Sequence, residues 1–177
     1  MKILLFILLL LSAASLYGQD LSTGPVIDSF GQVYSIDNPD LDANNDLTYR
    51  VIFDIYVAPE SPNEINPQIN TMARFLNMHV QAGVDREQVK VAGVFHGAAT
   101  FQVADDSTYR AAFGVDNPNR PLLDELLKAE VDLIICGQSM HSKGLGKEQL
   151  APGIQVALSA MTAIVNFHQR GYVLIKF

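Results

Sequence analysis

The period of the apolar positions changes several times along this chain, and each change marks a structural element. Thr48 to Val57 (TYRVIFDIYV) is dense in β-branched and aromatic residues and ends at Ala58-Pro59, which predicts a first strand. Ile65, Ile69, Met72, Leu76 and Val80 then recur at spacings of four, three, four and four, while Asn70, Arg74, Asn77 and Gln81 fill the other side. That spacing predicts an amphipathic helix stopping at Gly83. Lys90 to Phe95 is a continuous apolar run closed by His96-Gly97, as in a strand buried on both faces. A short helix is expected around Ser107 to Phe113, and Leu122, Leu123, Leu126 and Leu127 mark another, opened by Asn119 and Pro121. Val131 to Ile135 predicts a third strand with Cys136 at its carboxyl end. After a stretch from Ser139 to Leu150 that holds two glycines, two lysines and a histidine, Pro152-Gly153 opens a long helix expected from Ile154 to Arg170, with Gly171 as its cap. Tyr172 to Phe177 reads as a fourth strand.

Apolar strands alternating with helices imply an α/β fold: a mostly parallel sheet with helices on both faces. Ligands of such sheets bind beyond the carboxyl ends of the strands, and those ends here carry Ala58-Pro59, His96-Gly97 and Cys136-Gly137. The last helix is apolar around most of its circumference (Val156, Ala157, Ala160, Met161, Ala163, Ile164, Phe167). It is either squeezed inside the core or shared with another subunit.

The amino terminus follows a different rule. Lys2 precedes an apolar run from Ile3 to Leu11, followed by Ser12, Ala13, Ala14, Ser15 and Gly18, the pattern of a secretory signal over residues 1–18. The run falls short of the ~20 apolar residues that a membrane span needs. The expected product is a periplasmic or secreted protein with no membrane attachment after cleavage. Residues 19–46, rich in Asp, Asn, Ser, Gly and Pro, read as an irregular arm whose patch at Val26, Ile27, Phe30 and Val33 packs onto the α/β body of residues 47–177.

Composition narrows the chemistry. With 49% hydrophobic residues in 177, a single core needs no metal or disulfide to hold it. Nineteen Asp plus Glu against twelve Lys plus Arg give a net charge of -7, opposite to the footprint of a nucleic-acid binder. His79, His96, His141 and His168 show neither HxH nor HExxH spacing, so no metal site is expected. GxGxxG, P-loop and GxSxG patterns are absent, so no cofactor is expected and nothing supports nucleotide binding or an α/β-hydrolase.

The one cysteine is the chemical focus. If the chain turns into a helix after the third strand, the Cys136 thiol lies near unpaired backbone N–H groups that favour thiolate, the form that attacks disulfides, persulfides and polysulfides. Lys143 and either His96 or His141 would add positive charge. His96 and Gly97, at the end of the second strand, would face a bound anion or the thiol, and Gly137, Gln138 and Ser139 would line the same pocket. The bland reading stands beside each: free cysteine is most often a small buried apolar residue, a histidine is often a hydrogen-bonded structural group, and Gln138 or Ser139 equally cap helices.

Four segments together carry a family likeness: RFLNMHVQAG (Arg74 to Gly83), FHGAAT (Phe95 to Thr100), NPNRPLLDELLKAEVDLIICGQSM (Asn117 to Met140) and VALSAMTAIVNFHQRGYVLIKF (Val156 to Phe177). With them the chain resembles an exported branch of the DsrE/DsrF-like family from about Gly24 onward. The resemblance implies a three-layer α/β fold of the small sulfur-relay type, assembly into homo-trimers or hexamers, and sulfur carried as a persulfide on the cysteine that Cys136 matches. Lys143 and Gly144 fall at the basic and glycine places of the turn behind that cysteine. The implied activity is sulfurtransferase-like carriage to a thiol or sulfur-acceptor protein. The alternative is a non-enzymatic oligomeric module that binds a small ligand or protein and keeps Cys136 as a packing residue.

Overall fold

A computed structural model describes residues 21–176. The expected signal segment, residues 1–18, lies outside them. The arm forms two short strands, Leu21–Ser22 (β1) and Val33–Tyr34 (β2), paired antiparallel. The body runs through Tyr49–Ile55 (β3), Pro67–Gln81 (α1), Val89–Phe95 (β4), Asp106–Phe113 (α2), Arg120–Lys128 (α3), Asp132–Cys136 (β5), Gly137–Ser142 (α4), Gln155–Ala157 (β6), Ala160–Gln169 (α5) and Val173–Ile175 (β7).

Five of these strands form a wholly parallel sheet in the order β6-β5-β4-β3-β7. Side chains alternate across it because successive residues of a strand point to opposite faces. Val51, Phe53, Ile55, Val91, Phe95, Leu133 and Ile135 face a core completed by Ile69, Met72 and Leu76 of α1 and Leu122, Leu123 and Leu126 of α3. On the other face Ile52, Ala92, Val94, Ile134 and Cys136 meet Ala160, Ala163 and Phe167 of α5. The result is the expected three-layer α/β arrangement, thick on the α1/α3 side and one helix deep on the other. β4, in the centre of the sheet, gains its α1 contact through Gly93, where a Cβ would stand 2.6 Å from the Met72 sulfur.

The last helix differs from the sequence expectation. The helix expected from Ile154 starts only at Ala160, because Gln155–Ala157 pairs with the exposed edge of β5 (Ile134↔Gln155, Cys136↔Ala157) and becomes a fifth strand. Ser159 then ends the strand and opens the helix, its Oγ accepting from Thr162 N at 3.0 Å. Helical periodicity in the sequence continues through this segment, but pairing with β5 satisfies its backbone and overrides the local preference. Within the single chain α5 is buried on one side only: Met161 and Val165 are exposed.

The arm packs onto the body as the apolar patch requires, with Ile27 and Val33 buried and Val26 and Phe30 against the core. A fully buried Asn77 on α1 holds it. Its Oδ1 accepts from Val26 N (3.1 Å) and Ile27 N (2.8 Å), and its Nδ2 donates to the carbonyls of Ile27, Phe30 and Gly31. Asn70 adds one bond, accepting from Gly31 N at 2.9 Å. Gly31 itself, at φ +69, lies so close to α1 that a Cβ would stand 2.5 Å from the Ala73 carbonyl carbon.

Losing Asn77 strands several buried backbone groups at once, each worth ~1–3 kcal/mol. Asn77→Ala is therefore expected to lower unfolding free energy by about 3 kcal/mol, and Asn70→Ala by about 1 kcal/mol. Urea denaturation compares the two; equal losses would show that the arm does not depend on the Asn77 clamp.

Candidate functional site

Parallel register brings three residues that are distant in sequence to one corner of the sheet. Asp54 pairs with Val94, Ile55 with Phe95, and Phe95 with Ile135, so His96 and Cys136 follow directly at the carboxyl ends of adjacent strands. Asp54 points to the α5 face, where it is 6% exposed. Its Oδ1 lies 2.6 Å from His96 Nε2, and its Oδ2 lies 3.0 Å from Nζ of Lys176, just beyond β7. The Tyr56 ring stacks along the His96 imidazole, centroids 6.0 Å apart, and lies 4.9 Å from the Lys176 ammonium. Lys176 is held above the ordinary lysine value by the hydrogen bond to Asp54 and by its charge.

Cys136 ends β5 and caps α4. Its Sγ accepts from Ser139 N at 3.5 Å, so the thiol occupies the N-cap place that a serine or aspartate oxygen usually takes. Burial pushes the thiol up, but hydrogen bonds from the Ser139 hydroxyl and from the N–H groups of Ser139, Ala160 and Gln138 outweigh it, leaving the group below the ordinary cysteine value. Two helix starts therefore aim free N–H groups at one sulfur, those of α4 and α5.

The residues expected at the site fall into three groups. Cys136, His96 and Gln138 share the wall of a cavity of ≈ 310 Å³. Gly97, Gly137 and Ser139 shape it. Gly97 N donates to Ser139 Oγ at 3.2 Å, which stitches the end of β4 to α4, and at φ +59 Gly97 makes a turn that disfavours a side chain. Gly137 lets α4 turn hard against β6, since a Cβ there would stand 2.7 Å from the Ala157 carbonyl oxygen. Lys143 sits at the far end of α4, exposed, and does not join the cavity lining; His141 is likewise exposed on α4.

The structure adds residues that sequence reading missed. Ser159, Ala160, Met161 and Ile164 of the α5 start form the opposite, largely apolar wall, and Asp54 completes the polar side. Asp54 did carry a signal, because it interrupts the apolar run Val51 to Val57 and a charge inside a buried strand needs a partner. Lys176 carried none. A larger depression of ≈ 550 Å³ between the arm and α1/α3 is lined by Ser29, Arg86, Glu125 and Lys128 among others, with neither thiol nor imidazole. The thiol and the imidazole therefore share the wall of the smaller cavity. Among the described residues no three of His, Cys, Asp and Glu are grouped to hold a metal ion, and no helix is long and apolar enough to cross a membrane.

Solved structures with this architecture include two. The protein MTH1491 from Methanobacterium thermoautotrophicum, described as of unknown function, matches with a TM-score of 0.56 at 20% identity, covering 73% of this chain and 99% of its own. The ychN protein from E. coli matches with a TM-score of 0.51 at 11% identity over 73% and 99%. At these identities they show the fold alone. No curated protein matches the chain. The DsrE/DsrF-like family model matches residues 50–177, a span that includes Asp54, His96, Cys136 and the whole cavity wall, and the chain thus belongs to the DsrE/DsrF-like family.

Proposed function

We propose that the protein is an exported sulfur carrier in which Cys136 takes up sulfane sulfur as a persulfide and passes it to a thiol acceptor. The observation that carries this reading is the placement of a thiol with a lowered pKa in the wall of a cavity that it shares with an imidazole. The Cys136 thiolate attacks the outer sulfur of a donor R–S–SH; the new S–S bond forms as the donor's S–S bond breaks, leaving Cys136–S–SH and R–S⁻. An acceptor thiolate then attacks the outer sulfur of Cys136–S–SH, releasing the Cys136 thiolate and forming the acceptor persulfide. No net oxidation occurs in either step. His96 supplies a proton to the departing R–S⁻ when imidazolium and returns to neutral imidazole. Family membership and the amino-terminal pattern support a sulfur-handling role outside the cytoplasm, with the partner a thiol-bearing sulfur acceptor.

The exposed side of α5 supports assembly of the carrier as a homo-oligomer, a trimer or hexamer. Met161 and Val165, four residues apart on the outer side of α5, are 76% and 57% exposed, and Leu158, just before the helix, is 72% exposed. Leaving large aliphatic groups wet forgoes ~1.5–3 kcal/mol each, which a second copy seated on this helix would recover.

Three outcomes test these readings. Incubated with inorganic polysulfide, the wild-type protein is expected to gain the mass of one reducible sulfur atom and Cys136→Ser none; an unchanged wild-type mass sinks the carrier reading and leaves the cavity as a binding site. Because the folded thiol titrates below its unfolded value, alkylation by iodoacetamide should rise at lower pH in the native protein than in urea, and Ser139→Ala should move the native midpoint upward. Native and unfolded midpoints that coincide would remove the thiolate argument. In sedimentation, the wild type should run as an oligomer and the Leu158→Glu, Val165→Glu double variant as a folded monomer; a monomeric wild type rules out the assembly.

A further inference from the structure

We infer that Asp54 and Lys176 are positioning residues that set the charge and the proton-bearing nitrogen of His96 in the cavity. The inference deepens the carrier reading, which gives His96 its proton-handling role, by naming what governs that histidine.

The geometry is specific. Asp54 is a carboxylate buried in the interior of the sheet, and each of its oxygens has one cationic or imidazole partner: His96 Nε2 on Oδ1 and Lys176 Nζ on Oδ2. A carboxylate only accepts, so Nε2 carries a hydrogen and Nδ1 is left as the nitrogen that gains or loses a proton. The 2.6 Å separation falls at the short end for a charge-assisted bond. The groups facing His96 from its neighbours are Asp54 and Tyr56 from the β3 side, Cys136 from β5 and, through Asp54, Lys176 from the end of β7. The α5 wall contributes Ser159, Ala160, Met161 and Ile164, none of which titrates in the accessible range.

Asp54 and Lys176 act on the imidazole with opposite sign. The carboxylate favours imidazolium. Lys176 disfavours it, both by its own charge and by claiming the second oxygen of the carboxylate. A merely structural pair would not show this opposition: removing either member would loosen the same corner in the same way.

The test is the titration of the His96 ring followed by NMR in the full-length mature protein, wild type against Asp54→Asn and Lys176→Met. Asp54→Asn should lower the His96 midpoint and Lys176→Met should raise it, with Lys176→Arg returning it to the wild-type value. The pH at which sulfur leaves Cys136–S–SH for a small thiol should move with the ring. Midpoints that stay at the wild-type value, or that shift in the same direction in both variants, overturn the inference. If Asp54→Asn does not fold, Lys176→Met decides alone, since Lys176 is exposed: an upward shift supports the inference and any other result overturns it. Ring midpoints that move as stated in a protein that never takes up sulfur would sink the carrier reading while leaving the positioning pair in place; the converse sinks only the pair.

Discussion

A carboxylate inside a parallel sheet is a costly thing to bury, and Asp54 is tolerated because strand order delivers a partner from each side. β4 brings His96 to one oxygen and the end of β7 brings Lys176 to the other. A buried charge that loses its partner is strongly destabilising, so the pairing links the order β4-β3-β7 to the integrity of the site. Residues 42 and 122 positions away from Asp54 in sequence therefore meet within one hydrogen-bonded row, and Lys176, just beyond β7, becomes part of the cavity's electrostatics.

The sulfur depends on a second feature of the same kind. Cys136 collects N–H groups from the starts of two helices because β6 intervenes between β5 and α5. Were the helix continuous from Ile154, the N–H of Ala160 would bond within the helix to a carbonyl four residues back and would not be free to reach the thiol. The short strand thus converts an apolar stretch into a helix start placed beside the cysteine. Gly137 makes this approach feasible, since any side chain there would meet the Ala157 carbonyl.

The two faces of the sheet divide the work. On the α1/α3 side large aliphatic residues interlock and Asn77 ties the arm down, so that side concentrates stability. On the α5 side the sheet presents Ala92, Asp54 and Cys136 beside Ile52, Val94 and Ile134, and one helix that is apolar inward and outward. Thin cover leaves room for a cavity, and it leaves the helix's outer surface for contact beyond the chain.

Much of this was legible in the residues. Continuous apolar runs at 90–95 and 131–135 imply strands buried on both faces, the four-three-four-four spacing implies α1, and the strand-end rule places His96 and Cys136 at one rim, because backbone hydrogen bonding and burial act on local patterns. The segment 155–157 could not be read this way, since its strand state comes from an open edge of β5 that exists only once the sheet has formed. Lys143, close to Cys136 in sequence, is turned away by the course of α4, whereas Lys176, distant in sequence, is brought in by β7. The sequence by itself determined the fold class, the family and the position of the one thiol at a strand's carboxyl end. Only the tertiary structure decided which charges surround that thiol, because electrostatic partnership is set by distance in space, and strand order, not chain spacing, governs that distance.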